Sequence, residues 1–268
     1  MKEKLILTLK IIAIIIIVIA IGLICFNAVK AKNEKVQNPI VTLEIENYGN
    51  VKIELYPEYA PNTVANFIKL VQAGYYNDKV VYGEDTLCLY MGRNSDGTMD
   101  EPTLSKIDSS IESGSEADKK YQIFGEFVAN GYERNTLRHE KGVVSMIRSD
   151  YTQQMSTLSE ESYNSATSQI GVIMNAEEAR NLNGLYAAFG KIIEGLEVVE
   201  EIYNLAEVET KTEEEASSSI DAYVNKPIIK NVTVDTFGYD YGVPETLEYF
   251  DYQEYMTELI NQYYSSEG

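Results

Sequence analysis

In this 268-residue sequence no arrangement of residues stands out as a covalent or acid–base catalyst. The one histidine, His139, stands in a His-x-x-Gly setting just before a strand-like run, which suits a structural residue better than a general base. Of the two cysteines, Cys25 falls inside an apolar run and Cys88 is the only thiol of the polar remainder, so no disulfide forms within the soluble part. With no clustered Cys and a single His, no metal site is expected, and no cofactor either. No carboxylate pair and no Ser-His-Asp arrangement stands out for hydrolysis. What remains is chemistry by charge and hydrogen bonding. Arg93 and Arg148 are the candidate cations, although the simpler reading of each is a solvated or paired surface charge.

The elements that must position such groups are legible as strands and two helices. Val41 to Glu46 and Val51 to Leu55 alternate apolar and polar residues around the turn residues Asn47, Tyr48, Gly49 and Asn50, as a β-hairpin with one wet face does. Pro61 then suits a first helical turn, Val64, Phe67, Ile68 and Val71 recur at helical spacing, and Gly74 ends the run. Short strand-like pieces follow at 80–82, 142–146, 170–174 and 187–189, separated by long polar loops at 93–120 and 149–167. A second helix fits Gly195 to Leu205, an acidic loop covers 207–221, and Ile228 to Val234 reads as a closing strand. Many strands with two helices predict a closed barrel or a sandwich.

The two ends differ from this middle. Ile11 to Phe26 holds no polar or charged side chain, and with Leu5 to Leu9 only Thr8 and Lys10 interrupt 22 residues. At 1.5 Å per residue such a helix crosses a hydrocarbon layer of ~30 Å. The run is longer than the ~7–15 residues of a signal peptide's apolar core, and Ala28-Val29-Lys30-Ala31 is a poor cleavage site, so an uncleaved anchor is expected. The short head before the span most simply stays inside, which places the domain on the extracytoplasmic side of a cell membrane as a single-pass protein. At the other end, residues 239–268 carry seven Tyr, seven acidic residues and no Lys or Arg. There Tyr252, Tyr255, Met256, Leu259, Ile260 and Tyr263 share one helical face. That face fits either a helix packed on the barrel or one that binds a partner. The formal net charge of −20 repels phosphate backbones and argues against nucleic acid as a partner.

Read in order, a longer pattern emerges. It runs through Leu55-Tyr56-Pro57, Ala60-Pro61-Asn62-Thr63-Val64, Asn66-Phe67 and Gly74-Tyr75-Tyr76. It continues through Phe124-Gly125-Glu126-Phe127, Asn130-Gly131, His139, Gly142 and Ser145-Met146. Ser168-Gln169, Asn183-Gly184, Phe189-Gly190-Lys191, Glu194-Gly195 and Lys226-Pro227 complete it. The pattern resembles the cyclophilin-type peptidyl-prolyl isomerases over roughly 40 to 243. The resemblance implies an all-β fold: an eight-stranded closed antiparallel barrel capped by two helices. It also implies proline-containing polypeptides as substrate, a role in protein folding, and no metal or cofactor. With the ends added, the expected organisation is a transmembrane anchor at 1–30, a tether at 31–38, the cyclophilin-like domain at 39–243 and an acidic, Tyr-rich helical extension at 244–268.

The chemical positions depart from the family pattern. The resemblance implies an Arg that acts on the proline nitrogen, shortly after Gly74-Tyr75-Tyr76, and Gly83 stands there. Cys88, Leu89 and Met91 replace the expected Phe, Met and Gln; Gly171 replaces the second of two Phe; Asn181 replaces a Trp; and Ile147 replaces a small Ala. Gln169, Leu182 and Tyr186 are kept or replaced by common variants. The expected substrate-binding set is therefore Gln169, Met91, Leu89, Leu182 and Tyr186. Arg148, just past the Ser145-Met146 strand, is the cation expected to take over the catalytic role. The function expected is a weak isomerase, with an inactive peptide- or protein-binding module as the alternative.

Overall fold

In a computed structural model, residues 37–83, 86–111, 114–209 and 226–266 are described. The hairpin read from the alternating residues is β1 (Ile40–Ile45) and β2 (Gly49–Leu55), with Val41, Leu43, Ile45, Val51, Ile53 and Leu55 buried inside. Helix α1 (Pro61–Gln72) follows, with Pro61 in its first turn and Val64, Phe67, Ile68 and Val71 buried. No side chain of α1's own N-terminus caps it. Instead Glu126, distant in sequence, accepts from the backbone N–H of Asn62 at 3.0 Å and of Thr63 at 2.7 Å, and from the Thr63 hydroxyl at 2.7 Å. A carboxylate there satisfies orphan donors and the positive end of the helix dipole. At the other end Gly74 takes φ +68°, a left-handed turn that glycine adopts without strain, and Tyr75 N–H returns to the Leu70 carbonyl at 3.0 Å.

The chain continues through β3 (Val80–Gly83), β4 (Cys88–Arg93), a single turn α2 (Leu104–Ile107), β5 (Tyr121–Gln122), β6 (Val143–Met146), a short α3 (Ser159–Tyr163), β7 (Ile170–Ile173) and β8 (Ala188–Glu194). Helix α4 (Leu196–Glu209), strands β9 (Ile229–Asp235) and β10 (Leu247–Glu248), and helix α5 (Tyr252–Ser266) complete it. Eight strands form one antiparallel sheet in the order β3-β4-β7-β6-β8-β2-β1-β9. Its edges β3 and β9 meet through a bridge from Val80 to Ile228 and the bond from Val81 N–H to the Pro227 carbonyl at 2.8 Å, so the barrel is nearly closed. Along β4, β6 and β7 the side chains alternate cleanly. Leu89, Met91, Val144, Met146, Ile170 and Val172 join the interior core, where Val64 and Phe67 of α1 and Val199 and Ile202 of α4 also pack. Cys88, Tyr90, Val143 and Ile173 form a second apolar layer on the opposite face.

The eight-stranded barrel with its two long helices is as the sequence led us to expect, except that closure is incomplete. Strand β4, hidden between loop-like residues, was missing from the periodicity reading. The expected anchor at 1–30, nearly all of the tether and most of the acidic loop lie outside the described residues. Among the described residues no helix is long and apolar enough to cross a membrane. The C-terminal extension contains α5, and its approach is fastened to the domain. β10 pairs with β5, and Asn62 exchanges two hydrogen bonds with the Glu245 backbone at 2.7 and 2.9 Å. Tyr252 stacks on Tyr151 at 5.0 Å with the rings 3° from parallel. Further along α5, Ile260 and Tyr263 are exposed.

Candidate active site

The site grows from the outward face of β3, β4, β6 and β7. Gly83 ends β3 opposite Leu89 of β4 and is buried, with no side chain to offer a ligand. Its neighbour Tyr82 fills part of this face: the ring stacks on Tyr90 with centroids 5.7 Å apart, and the Gln169 amide donates to its hydroxyl. The Arg93 guanidinium lies 5.0 Å from the same ring. Gln169 therefore does reach this face, but its amide is turned toward a phenol. Among the other expected residues, Leu89 and Met91 point into the barrel and are fully buried, so they present no surface to a peptide. Leu182 is half-buried against the outer apolar layer, and Asn181 beside it is exposed.

Gly171 lies in β7 between Tyr90 of β4 and Ser145 of β6. A Cβ placed on it would meet Ile147 Cδ1 at 2.9 Å and Cys88 Cβ and Sγ at 3.4 Å. Ile147 thus leans into the room that a side chain at 171 would take, the point at which the resemblance leads one to expect an aromatic wall.

Arg148 is held tightly. Its Nε donates to the Leu185 carbonyl at 3.2 Å, and Nη1 donates to the carbonyls of Ser149 at 3.2 Å and Ser162 at 3.4 Å. Its guanidinium sits 4.5 Å from the Tyr186 ring, 5.1 Å from Tyr163 and 5.7 Å from Phe127. Burial raises the Tyr186 hydroxyl pKa, and the Arg148 charge opposes that shift. Arg148, Ile147 and Gln169 line one pocket, so the structure brings the expected cation and the expected amide together. Nη2 is left as the Arg148 nitrogen without a hydrogen-bond partner among the described residues.

His139 takes no part. It is buried, with Nε2 3.0 Å from the Ser145 hydroxyl and Nδ1 3.2 Å from Asn183 Oδ1, so it ties β6 to the segment before β8. Burial lowers its pKa, and the bond to Asn183 opposes that only in part. The sequence did not reveal Tyr82, Glu101, Tyr151 or Tyr249 as neighbours of the site. The first lies on the outer face of β3, one residue before Gly83, and the other three come from long loops and the C-terminal segment, which carry no periodic signal.

The family model for "Cyclophilin type peptidyl-prolyl cis-trans isomerase/CLD" matches residues 40–234. The chain belongs to the cyclophilin-type peptidyl-prolyl isomerases. Among its relatives, Peptidyl-prolyl cis-trans isomerase-like 2 of Rhizopus delemar is 28% identical over 162 residues, covering 60% of this chain but only 24% of that protein. Peptidyl-prolyl cis-trans isomerase B of Bacillus subtilis is 27% identical over 160 residues, covering 60% of this chain and 87% of its own length. A cyclophilin of Cryptosporidium parvum, crystallised in the presence of the dipeptide Ala-Pro, aligns at 20% identity with a TM-score of 0.48 over 73% of this chain and 98% of its own. In this cyclophilin, then, the scaffold is kept, and Gly171 and Ile147 lie side by side on the outer face of its sheet.

Proposed function

We propose that the chain is an extracytoplasmic, membrane-anchored cyclophilin that binds proline-containing polypeptides and isomerises them weakly, as an aid to protein folding. Rotation about an X–Pro amide meets a barrier of ~18–20 kcal/mol because the nitrogen lone pair is shared with the carbonyl. A site lowers it by favouring the pyramidal nitrogen of the twisted state, and a fixed cationic donor does that best. The observation that carries the reading is Gly83, a residue without a side chain, which the sequence resemblance sets at the donor's place in a barrel of this family. Loss of one preorganised donor typically lowers the rate about 10²–10³-fold. Arg148 is the cation that supplies what activity remains, through Nη2, with Gln169 in the same pocket.

The commitment of Arg148 to three carbonyls favours a second reading, in which the groove grips polypeptide without isomerising it. Exchange NMR on a blocked proline peptide with the full chain separates the two. A weak isomerase speeds cis–trans exchange, whereas a pure binder shifts the resonances of one or both isomers without exchange between them. The anchor rests on the apolar run from Ile11 to Phe26. It is tested by washing membranes with carbonate, where release of the protein as a form beginning near residue 32 would count against it.

A further inference from the structure

His139 makes no contact in the groove, yet it joins the two segments between which Arg148 is held. It is the chain's one histidine and is buried. On one side its Nε2 lies 3.0 Å from the hydroxyl of Ser145 on β6, the strand that runs on into Arg148. On the other, Asn183 Oδ1 faces the His139 backbone N–H at 2.9 Å and Nδ1 at 3.2 Å. The turn after Asn183 is closed by the N–H groups of Leu185 and Tyr186, which donate to the Leu182 carbonyl at 2.9 and 3.1 Å. That turn supplies the Leu185 carbonyl that accepts from Arg148 Nε, and the Tyr186 ring against its guanidinium. The imidazole is thus a side-chain link between the strand that delivers Arg148 and the turn that receives it.

The protons on the ring follow from its neighbours. Asn183 Nδ2 donates to the Arg180 carbonyl at 3.0 Å, so the atom turned to the ring is Oδ1, which can only accept. Nδ1 therefore carries the proton, and Nε2 accepts from the Ser145 hydroxyl. A second proton on the ring would reverse that bond. Ser145 is itself buried, and its hydroxyl has no other hydrogen-bond partner among the described residues, so its own proton would be left without an acceptor. Burial holds the imidazole pKa below its ordinary value, and the Asn183 bond opposes this. Charged side chains add nothing to that shift among the described residues, Arg138 and Arg180 included. Glu140 faces Lys191 at 3.7 Å, and Lys141 faces Glu200 at 2.7 Å. The neutral ring is the form that fits both of its partners.

We propose that His139 is a positioning residue for Arg148: in its neutral form it clamps Ser145 to Asn183 and fixes the guanidinium in the groove, and a second proton on the ring loosens the clamp. The proposal rests on the reading of Arg148 as the cation of the groove, whether that groove isomerises or only binds. It gives the groove a pH dependence that originates in a residue outside it.

The test is NMR on the full chain in detergent, with nitrogen-15 in histidine and arginine. The single imidazole should show a protonated Nδ1 and a bare Nε2 at pH 7.5, and the opposite tautomer would overturn the proposal. The Arg148 Nε–H signal, assigned by its loss in Arg148→Lys, should be protected from solvent exchange. As the pH is lowered below about 6.5, that signal should move with the same midpoint as the His139 ring, while the α1 amides of Val64 and Phe67 stay in place. A His139 titration that leaves the Arg148 signal unmoved would overturn the proposal. His139→Gln should abolish the protection at pH 7.5 and slow the exchange of a blocked proline peptide about tenfold, as a small misplacement of a reacting group does. In an Arg148→Ala background the same change should leave the remaining rate unaltered. An equal loss in both backgrounds would mark a merely structural histidine and overturn the proposal. If the Arg148 signal follows His139 but no isomerisation occurs at any pH, the weak-isomerase reading falls and the positioning role stands. The titration of the unaltered chain decides the matter even if His139→Gln does not fold.

Discussion

Gly171→Ala adds one methyl group at the point where the family is expected to carry an aromatic wall. That methyl would sit 2.9 Å from Ile147 Cδ1, well inside contact distance, and 3.4 Å from Cys88 Cβ and Sγ. The nearest atom is the tip of a half-buried side chain, so relief comes by turning Ile147 off its rotamer, which costs roughly 0.5–1.5 kcal/mol. Residual crowding against Cys88 adds to this, within the ~1–3 kcal/mol typical of overpacking. Replacing a glycine in a strand interior returns roughly 0.5–1 kcal/mol. The net expectation is destabilisation of about 1 kcal/mol. With Ile147→Ala already in place, the main clash is gone and Gly171→Ala should be neutral or stabilising by about 0.5 kcal/mol. Ile147→Ala alone should destabilise by about 1–2 kcal/mol, less than the ~2–5 kcal/mol of a fully buried truncation. The cycle therefore predicts a coupling of about 1–2 kcal/mol between the two sites. Urea unfolding of the full chain, followed by circular dichroism and by tyrosine emission in a protein with 21 Tyr and no Trp, measures it. Additivity within about 0.5 kcal/mol would refute the claim that Ile147 occupies the space of the missing wall.

His139 predicts a pH dependence of stability. Its folded pKa lies below the ordinary ~6.5, so the unfolded chain binds the extra proton first. The contribution is then complete above about pH 6.5 and is lost as the pH falls below it. Buried Glu101 and Glu126, whose pKa values burial raises, act with the opposite sign, losing stability as the pH rises from the ordinary carboxylate range of about 4.3. The comparison is therefore between the parent and His139→Gln from pH 7.5 to 5.5, and parallel urea midpoints would contradict the assignment. Arg148→Ala should remove most of the residual isomerisation seen by exchange NMR. A side chain held by three carbonyls and three rings also predicts a stability loss of about 1–2 kcal/mol, where an exposed arginine would show almost none. An unchanged exchange rate in that variant would remove Arg148 from the chemistry.

Much of the scaffold was legible because it is written in short-range patterns. The alternation in β1 and β2, the helical spacing from Val64 to Val71 and the glycine stop at Gly74 each follow from local physics. The β4 strand was not, since Cys88 to Met91 is apolar on both faces and lacks alternation. Nor was the cap of α1, because its carboxylate comes from Glu126, far along the chain. At the site the sequence marks Gly83, which has no side chain with which to donate. It also placed Leu89 and Met91 in the substrate set, where the pleat turns both into the core. Arg148 read as a surface charge from its neighbours in sequence, and only the approach of Leu185, Ser162 and Tyr186 shows how firmly it is held. The rest of the pocket that Arg148 and Gln169 line was invisible for the same reason. Glu101, Tyr151 and Tyr249 belong to segments that meet only after β10 pairs with β5.

The central claim is that glycine at position 83 leaves a cyclophilin scaffold with little catalytic power. Its most direct test is the isomerisation rate of one proline peptide, measured at equal concentration for the full chain, its Gly83→Arg variant and a family member that carries arginine at the corresponding place. The account predicts a rate at least ~100-fold below that of the arginine-bearing relative, with a gain on Gly83→Arg that Ile147 and Gly171 limit. Near-normal turnover by the unaltered chain would contradict it.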